Sequence, residues 1–231
     1  MTEELRLQPR LQLLADLVPQ GARLVDVGTD HGYLPVYLLQ NGHIASAIAA
    51  DIGEAPLDHA RRTARQYGVE DSLQFLRCDG LAGISPDETD TVVIAGMGGE
   101  TIIHILSRAS WTRNGGTLLL LQPMTKQEEL RRWLSENGYA QYAERLVRDK
   151  DYLYPVFTVY GGAGQELSVG EIYGGVDIEV DPLAGEHLSQ RIRRLTQAAE
   201  GLRRGGGAEN TARAEQLEEI IRVLTERREA L

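Results

Sequence analysis

The chain has 231 residues, enough for one medium-sized domain with an appendage, and its hydrophobic content of 42% is ordinary for a globular protein. Its formal net charge of −10 argues against nucleic-acid binding by simple electrostatics. The single cysteine, Cys78, excludes an intramolecular disulfide and indicates a cytoplasmic protein. No apolar run approaches the roughly 20 residues of a membrane span, and the first ten residues have no signal-peptide core, so we expect no membrane contact.

Short apolar segments alternate with segments of helical periodicity along most of the chain. The predicted elements are a helix over 5–18, a strand over 24–27, a helix over 35–41, a strand over 45–51, a helix over 56–68, strands over 73–79 and 90–95, a helix over 101–106, a strand over 117–121, a helix over 126–137 and an antiparallel strand pair over 139–147 and 152–160. This alternation predicts a Rossmann-like α/β fold, with a parallel sheet covered on both faces.

Residues with unusual chemistry follow the predicted strands at their carboxyl ends. They are Asp26, Gly28, Asp30 and Gly32 at the first strand, Asp51 and Ile52 at the second, Asp79 and Gly80 at the third, Gly96, Met97 and Gly98 at the fourth, and Gln122 and Pro123 at the fifth. Ligands of such sheets bind outside the carboxyl ends of the strands. The sequence therefore predicts one site along this edge.

The acidic residues favour S-adenosylmethionine (SAM) over a dinucleotide. Asp51 lies where nucleotide-binding folds present an acid to ribose hydroxyls, and Asp79 can accept from an adenine amine. An ordinary helix cap for Asp51 and a plain turn for Asp79 are the alternatives. Asp30 stands where a dinucleotide-binding loop has glycine, and its carboxylate would repel a pyrophosphate but tolerate the cationic SAM.

The chain changes character after Gly161. Residues 161–185 are rich in glycine and acids, and their role stays open. Apolar residues then repeat with heptad spacing, which predicts an antiparallel helical hairpin of coiled-coil type; they are Leu188, Ile192, Leu195, Ala199, Leu202, Leu217, Ile220, Ile221 and Leu224. Residues 187–231 carry 9 Arg against 7 Glu, and the arginines cluster early, at Arg191, Arg193, Arg194, Arg203 and Arg204.

The segments LVDVGTDHGYLP, IAADI, CDGL, VVIAGMGGETI and LLLQPM, in this order, resemble the bacterial tRNA (adenine-22-N1)-methyltransferase family. The resemblance implies a class I SAM-dependent methyltransferase domain over 1–165 and a hairpin domain over 166–231. It implies SAM as cofactor, N1 of a tRNA adenine as the target, and Asp30 as the catalytic residue. The cofactor residues that we assign are Asp26, Gly28, Gly32, Asp51, Ile52, Asp79, Gly80, Gly96 and Met97.

The residue chemistry agrees with a ring nitrogen as the target. Enzymes that methylate exocyclic amines typically follow the fourth strand with an Asn/Asp-Pro-Pro-aromatic loop, and this chain has Gly96-Met-Gly-Gly there instead. A carboxylate such as Asp30 would stabilise the cationic product. Its alternatives are a helix cap or a ligand of the SAM ammonium. We assign substrate contacts to His31, Tyr33, Gly98, Gln122 and Pro123, and tRNA contacts to the five hairpin arginines, whose alternative is a solvated coiled-coil flank.

Two other functions remain open on the sequence. One is a small-molecule SAM methyltransferase whose hairpin serves dimerisation, and the other is a non-catalytic nucleotide-binding adaptor. The five histidines are scattered and Cys78 has no neighbouring ligand, so no metal site is expected.

Overall fold

A computed structural model describes residues 5–231, apart from the side chain of Tyr142; residues 1–4 of the predicted first domain lie outside the described residues. The elements are α1 (Pro9–Leu17), β1 (Arg23–Val27), α2 (Tyr33–Gln40), β2 (Ser46–Asp51), α3 (Glu54–Tyr67), β3 (Leu73–Arg77), β4 (Thr91–Gly98), α4 (Gly99–Ser107), β5 (Leu118–Thr125), α5 (Gln127–Glu136), β6 (Tyr139–Asp149), β7 (Tyr152–Gly161), α6 (Val169–Gly174), α7 (Ala184–Gly205) and α8 (Ala208–Glu229).

The seven strands form one sheet in the order β3-β2-β1-β4-β5-β7-β6. The first five strands in chain order pair in parallel, while β7 is antiparallel to both of its neighbours. The chain proceeds from β1 to β2 on one side and returns to β4 on the other, so the strand order reverses between β1 and β4. The predicted parallel sheet and its final antiparallel pair are confirmed, and the reversal is where such folds open a ligand crevice.

Strand β5 shows how the sheet is buried on both faces. Leu118 and Leu120 contribute to the apolar core under α1 and α2, whereas Leu119 and Leu121 contribute to the core under α4 and α5. All four side chains are buried. Because successive residues of a strand point to opposite faces, an uninterrupted leucine run fits a strand that is covered on both sides.

Three predicted boundaries differ from the structure by three residues or more. Helix α1 begins at Pro9, which suits the first turn of a helix, rather than at Leu5. Strands β4 and β5 both extend past the predicted ends, through Gly98 and Thr125, although Gly and Pro residues in these stretches have low strand propensity. The pairing of the two strands overrides that local preference, with a register shift near Met97.

The predicted helical hairpin is confirmed as α7 packed against α8, with the connecting turn at Gly206 and Gly207. Its apolar seam forms a third core cluster around Leu188 and Leu224, which Ile178 joins from the preceding segment. The glycine- and acid-rich stretch is therefore structural in part, because it contains α6 and contributes to the hairpin core.

A buried ion pair connects the sheet to this segment. Arg131 of α5 and Glu144 of β6 are both fully buried, with Nε–Oε1 and Nη2–Oε2 distances of 2.6 and 2.8 Å. Arg131 Nη1 donates to the carbonyl of Ile172 at 2.9 Å, and the Val176 N–H donates to Glu144 at 3.0 Å. We call these four groups the joint. They tie residues of α6 and its C-terminal turn to the sheet, on the hairpin side of the proposed boundary at residue 165.

None of the helices within residues 5–231 is long and apolar enough to cross a membrane.

Candidate functional site

The turn between β1 and α2 brings backbone to the centre of the sheet edge. Gly28 has a φ of +78°, and its N–H donates to the carbonyl of Ala50 in β2 at 2.8 Å. A Cβ at this position would lie 2.1 Å from Cε of Met97. The positive φ favours glycine, and the end of the Met97 side chain from the β4 turn lies against its backbone. The predicted cofactor residues Gly28 and Met97 lie side by side.

The predicted ribose acid stands at the end of β2. Asp51 Oδ1 accepts from the N–H of Gly53 at 2.7 Å, which orients the carboxylate at the sheet edge, and Ile52 beside it is 67% exposed. The predicted adenine residues Asp79 and Gly80 follow β3 and are held to the end of β2 by the backbone bond from Cys78 N–H to the carbonyl of Asp51 at 3.0 Å.

Asp79 lines a small cavity of about 90 Å³. It pairs with Arg108 at the end of α4, with an Nη1–Oδ2 distance of 2.5 Å. Both side chains are about half exposed, so the pair is weak and either partner can exchange it for a ligand. Gly80 has a φ of +61°, and a Cβ there would meet Ile105 at 2.9 Å, so glycine allows the turn after β3 to pack closely against α4.

The register shift between β4 and β5 leaves a backbone N–H at the sheet edge without a partner in the ladder, and a side chain accepts its hydrogen bond. The N–H of Gly96 donates to Oε1 of Gln122 at 3.2 Å. Arg10 of α1 also approaches this oxygen at 3.4 Å, while its Nε pairs with Asp149 at 2.7 Å. Bulges of this kind recur next to active sites, where they redirect side chains. Gln122 is thus a positioning residue that links α1 to the β4 turn.

The remaining predicted substrate residues of these strands belong to the β4–β5 ladder. Gly98 pairs with Thr125, and Met97 pairs with Pro123, which is buried.

A cavity of about 830 Å³ opens between these turns and α1. Its wall includes predicted residues from three strand ends together with apolar residues of α1; the predicted ones are Asp26, Asp30, His31, Gly32, Tyr33, Gly96 and Gln122. The structure therefore gathers both predicted cofactor residues and predicted substrate residues around one space, which is large enough for an aromatic base.

Asp26 is the buried acid of this wall. Its side chain lies at the end of β1 and the residue is only 8% exposed. Burial raises the pKa of Asp26 from 3.8 to about 6, because the charged form loses its hydration, and the nearby charge of Asp51 adds to the rise. A carboxylate whose ionised form is penalised in this way gains from a cationic ligand in the cavity.

Asp30, by contrast, is an exposed acid beside two imidazoles. Its side chain is 76% exposed, with Oδ2 3.5 Å from Nε2 of His31 and Oδ1 3.9 Å from Nδ1 of His59 on α3. The ring of His31 stacks on Tyr33 on one side and on His59 on the other, with centroid distances of 5.1 and 4.7 Å. Asp30 lies beside this row of three rings, at the mouth of the cavity.

Comparison with known proteins identifies the family of the chain. Residues 7–157 match the family model described as a methyltransferase domain. The tRNA (adenine(22)-N(1))-methyltransferase of Bacillus subtilis strain 168 is 33% identical over 187 residues, which cover 81% of this chain and 76% of that protein. The chain belongs to the tRNA (adenine(22)-N1)-methyltransferase family. The resemblance seen in the sequence motifs is confirmed.

Solved structures of the family match nearly the whole chain. The crystal structure of the B. subtilis m1A22 tRNA methyltransferase TrmK superposes with a TM-score of 0.85 at 30% identity, covering 96% of this chain and 99% of that one. Streptococcus pneumoniae Sp1610 in complex with S-adenosyl-L-methionine gives a TM-score of 0.81 at 31% identity, covering 94% and 97%. The likeness to the family therefore includes the hairpin as well as the sheet.

Within this family fold, one hairpin arginine differs from the others that we predicted to bind tRNA. Arg191 is largely buried, and its guanidinium donates to the carbonyl of Tyr173 and to Glu128 Oε2, both at 3.1 Å. Its charge is already engaged between the hairpin and α5. A tRNA contact by Arg191 stays a prediction, and its present bonds are those of a packing residue.

The other four arginines lie on the exposed surface of α7. Arg203 makes a bidentate pair with Glu218 of α8, at 3.1 and 2.8 Å, and Arg204 lies 3.8 Å from a glutamate one turn earlier. Arg193 and Arg194 are exposed, without an ion pair among the described residues. They are the arginines of the hairpin best placed to meet phosphates.

Arg10 and His59 were not predicted as residues of the site. Arg10 reaches the site only because α1 packs beside β6 and β7, and His59 because α3 returns beside α2. Neither residue belongs to a local motif. One signal in the sequence could have found His59. It lies three residues after Pro56, in the first turns of the helix that follows Asp51, and the start of that helix lies near the sheet edge.

Proposed function

We propose that this chain transfers a methyl group from S-adenosylmethionine to N1 of adenine 22 in tRNA. The observation that carries the proposal is the likeness over almost the whole chain to m1A22 tRNA methyltransferases, hairpin included. A sheet of this kind serves many acceptors, so a likeness of the sheet alone would not name the substrate. With tRNA as its substrate, the enzyme works in the cytoplasm.

The residues at the sheet edge fit the cofactor. The glycine turn at Gly28 provides a loop, and the oriented carboxylate of Asp51 provides a ribose acceptor. The small cavity beside Asp79 provides an acid near the expected position of the adenine ring. Asp26 provides a carboxylate that gains from the ammonium group. When bound, S-adenosylmethionine supplies an electrophilic methyl group on a positively charged sulfur.

Asp30 is the residue that we assign to the chemistry. Adenine N1 already has an available lone pair, so the enzyme does not need to grip the amine to activate it. Methylation leaves a cationic ring, and a carboxylate at the mouth of the cavity stabilises the charge as it develops. Asp30 also accepts the N6 proton if the product loses it there. The exposure of Asp30 and its place on the cavity wall support this role.

The row of rings suits the target base. N1 lies on the Watson–Crick edge, so the adenine must leave its helix, at a cost of a few kcal/mol. Tyr33 is 41% exposed at the end of the row, and a flipped base that stacks on it recovers about 1–3 kcal/mol. We assign His31 and Tyr33 to this contact.

The hairpin supplies the positive charge that the acidic sheet domain lacks. Arg193 and Arg194 face solvent, and Arg203 and Arg204 extend the same helix toward its tip. Phosphate contacts by these side chains would hold the tRNA while the base enters the cavity.

Nucleoside analysis tests the proposed function. Unmodified tRNA with adenine at position 22 is incubated with the protein and S-adenosylmethionine, digested, and analysed by mass spectrometry. We expect 1-methyladenosine in an amount that approaches one per tRNA. The matched control is the same tRNA with guanine at position 22, which should receive no methyl group. Equal methylation of both tRNAs, or none of either, would overturn the proposal.

A further inference from the structure

We propose that Asp30, His31 and His59 form a binding site for a divalent transition-metal ion of the zinc type. Each of the three side chains offers one ligand atom, and these atoms all lie within 4.8 Å of one another. His31 is adjacent to Asp30 in the turn after β1, whereas His59 comes from α3. The fold thus assembles a ligand set that the scattered histidines of the sequence did not indicate.

The distances are close to those of a coordinated ion. Ligand atoms about 2.0–2.1 Å from a tetrahedral zinc ion are about 3.3 Å apart. The two imidazole–carboxylate distances here are 3.5 Å, to Oδ2, and 3.9 Å, to Oδ1. The three ligand atoms lie within 4.8 Å of one another, so the side chains must close by up to about 1.5 Å around an ion. The two rings stack with an interplanar angle of 20°. An imidazole lone pair lies in the ring plane, so one ring must rotate out of this stack before both nitrogens can point at one ion. Asp30 is exposed, so nothing in its packing opposes the adjustment.

A second observation is independent of these distances. Nδ1 of His59 is buried and has no hydrogen-bond partner among the described residues. Buried polar atoms are nearly always paired, so an unpaired ring nitrogen calls for a ligand or a proton. This nitrogen is the atom that faces Asp30.

The ligand chemistry selects the class of ion. Two imidazoles with one carboxylate suit zinc and its neighbours in the first transition row, whereas magnesium and calcium prefer oxygen ligands. Three protein ligands leave a coordination position open. Asp30 and His31 also line the cavity, so an ion held by them would lie at its mouth.

An ion in this site would inhibit the enzyme. It would occupy the lone pairs of Asp30 and the space at the mouth of the cavity, so the target base could not reach the carboxylate. This consequence rests on the proposed function, whereas binding of the ion does not. The two are therefore measured separately.

Binding is tested with Co²⁺ on protein that carries no histidine tag. We expect visible absorption bands of a four- or five-coordinate ion, with one ion per chain. His59→Gln should weaken binding about tenfold or more, by loss of one ligand. Asp58→Asn is the matched control, because it removes an exposed carboxylate from the same helix that pairs instead with Arg61. Circular dichroism verifies that each variant is folded.

The outcomes are distinct. Bands that survive in Asp58→Asn and are lost in His59→Gln support the site. The site is overturned if the spectrum stays that of hydrated Co²⁺, if His59→Gln binds as tightly as the parent, or if a thiolate charge-transfer band shows that Cys78 holds the ion. A substitution of His31, His31→Gln, gives a second measurement, which must show the same loss.

Inhibition is tested by methyl transfer to tRNA with Zn²⁺ or with EDTA. Each protein is compared with its own rate in EDTA. We expect Zn²⁺ to reduce the parent rate and to have at least about tenfold less potency on His59→Gln. Equal inhibition of both proteins would overturn the blocking role. Absence of methyl transfer in EDTA would contradict the proposed function instead, and would leave the Co²⁺ result unaffected.

Discussion

The charged groups of the joint are buried and paired, whereas the carboxylate at the mouth of the cavity is exposed. In the joint, Arg131 and Glu144 are fully buried, and each also bonds to a backbone group of the segment around α6. At the mouth, the Asp30 carboxylate is 76% exposed, and the nearest cationic candidates are two imidazoles at 3.5 Å and beyond. The first region satisfies every charge that it buries, whereas the second presents its charge to solvent.

The charges of the joint therefore stabilise the fold, whereas the charge of Asp30 is available to a ligand. A buried, fully bonded pair has no capacity left for a ligand, and removing one partner strands the other. An exposed carboxylate contributes little to stability and is free to meet a substrate. Substitutions in the two regions should therefore affect different measurements.

The largest expected effect is on stability, from Glu144→Gln. It leaves the Arg131 guanidinium buried without a counter-charge, which costs about 3–5 kcal/mol of unfolding free energy in urea denaturation. The control is Glu186→Gln, whose partner Arg148 is half exposed, and it should cost no more than about 1 kcal/mol. Equal losses of unfolding free energy from the two substitutions would show that the buried pair contributes no more to stability than the exposed one.

The converse substitution is Asp30→Asn. The amide is neutral and accepts no proton, so methyl transfer should fall about 100-fold while thermal stability stays that of the parent. Calorimetry should show that SAM affinity is retained. A parallel loss of SAM binding and methyl transfer would make Asp30 a cofactor ligand rather than the catalytic residue.

Asp26 combines features of the two regions, because it is buried and yet lies on the cavity wall. Its ionisation should make the stability of the protein depend on pH. Its folded-state pKa of about 6 exceeds the ordinary 3.8, so the folded protein binds the proton more tightly. The resulting stability is fully present below about pH 4 and is lost as the pH rises through 6.

Asp26→Asn should therefore raise the unfolding free energy at pH 7 by an amount on the order of 2 kcal/mol, and the gain should vanish near pH 4. Urea denaturation at both pH values, without ligand, measures the difference. The same variant should bind SAM more weakly, because it lacks the charge that meets the ammonium. A gain in unfolding free energy that is the same at both pH values would show that the ionisation of Asp26 does not cause it.

The smallest effect is expected on the hairpin. Arg193→Gln with Arg194→Gln should lower tRNA affinity and flatten its salt dependence by roughly 0.7–0.9 for each phosphate that the variant no longer neutralises. The control is Arg222→Gln on α8, because its guanidinium already pairs with Glu219 and Glu226. An unchanged salt slope in the double variant would argue for a solvated flank instead.

The sheet and most of its edge were predictable because strand ends are local in sequence. The apolar runs around Leu24 and Leu120 mark buried strands, and the residues after them must meet at one edge of a parallel sheet. The extension of β4 through Gly98 was not predictable, because it depends on pairing with β5.

Contacts between distant elements were also beyond the sequence. His59 reaches Asp30 from another helix, and nothing in the local pattern around either residue reports that approach. Arg131 and Glu144 resemble the surface charges of an amphipathic helix and an alternating strand, yet both are fully buried. Arg131 bonds to α6 and Glu144 to the turn after it, and this glycine-rich segment has too little periodicity to be placed in advance.

The joint also restricts how this chain can diverge. A change of either charged residue alone passes through an intermediate several kcal/mol less stable, a large part of the stability of an ordinary domain. Replacing both at once with apolar residues does not avoid the cost, because the carbonyl of Ile172 and the N–H of Val176 would lose their partners. Neither a single nor a paired replacement of Arg131 and Glu144 is therefore free of cost, so descendants of this chain should vary at the hairpin surface while they keep both residues.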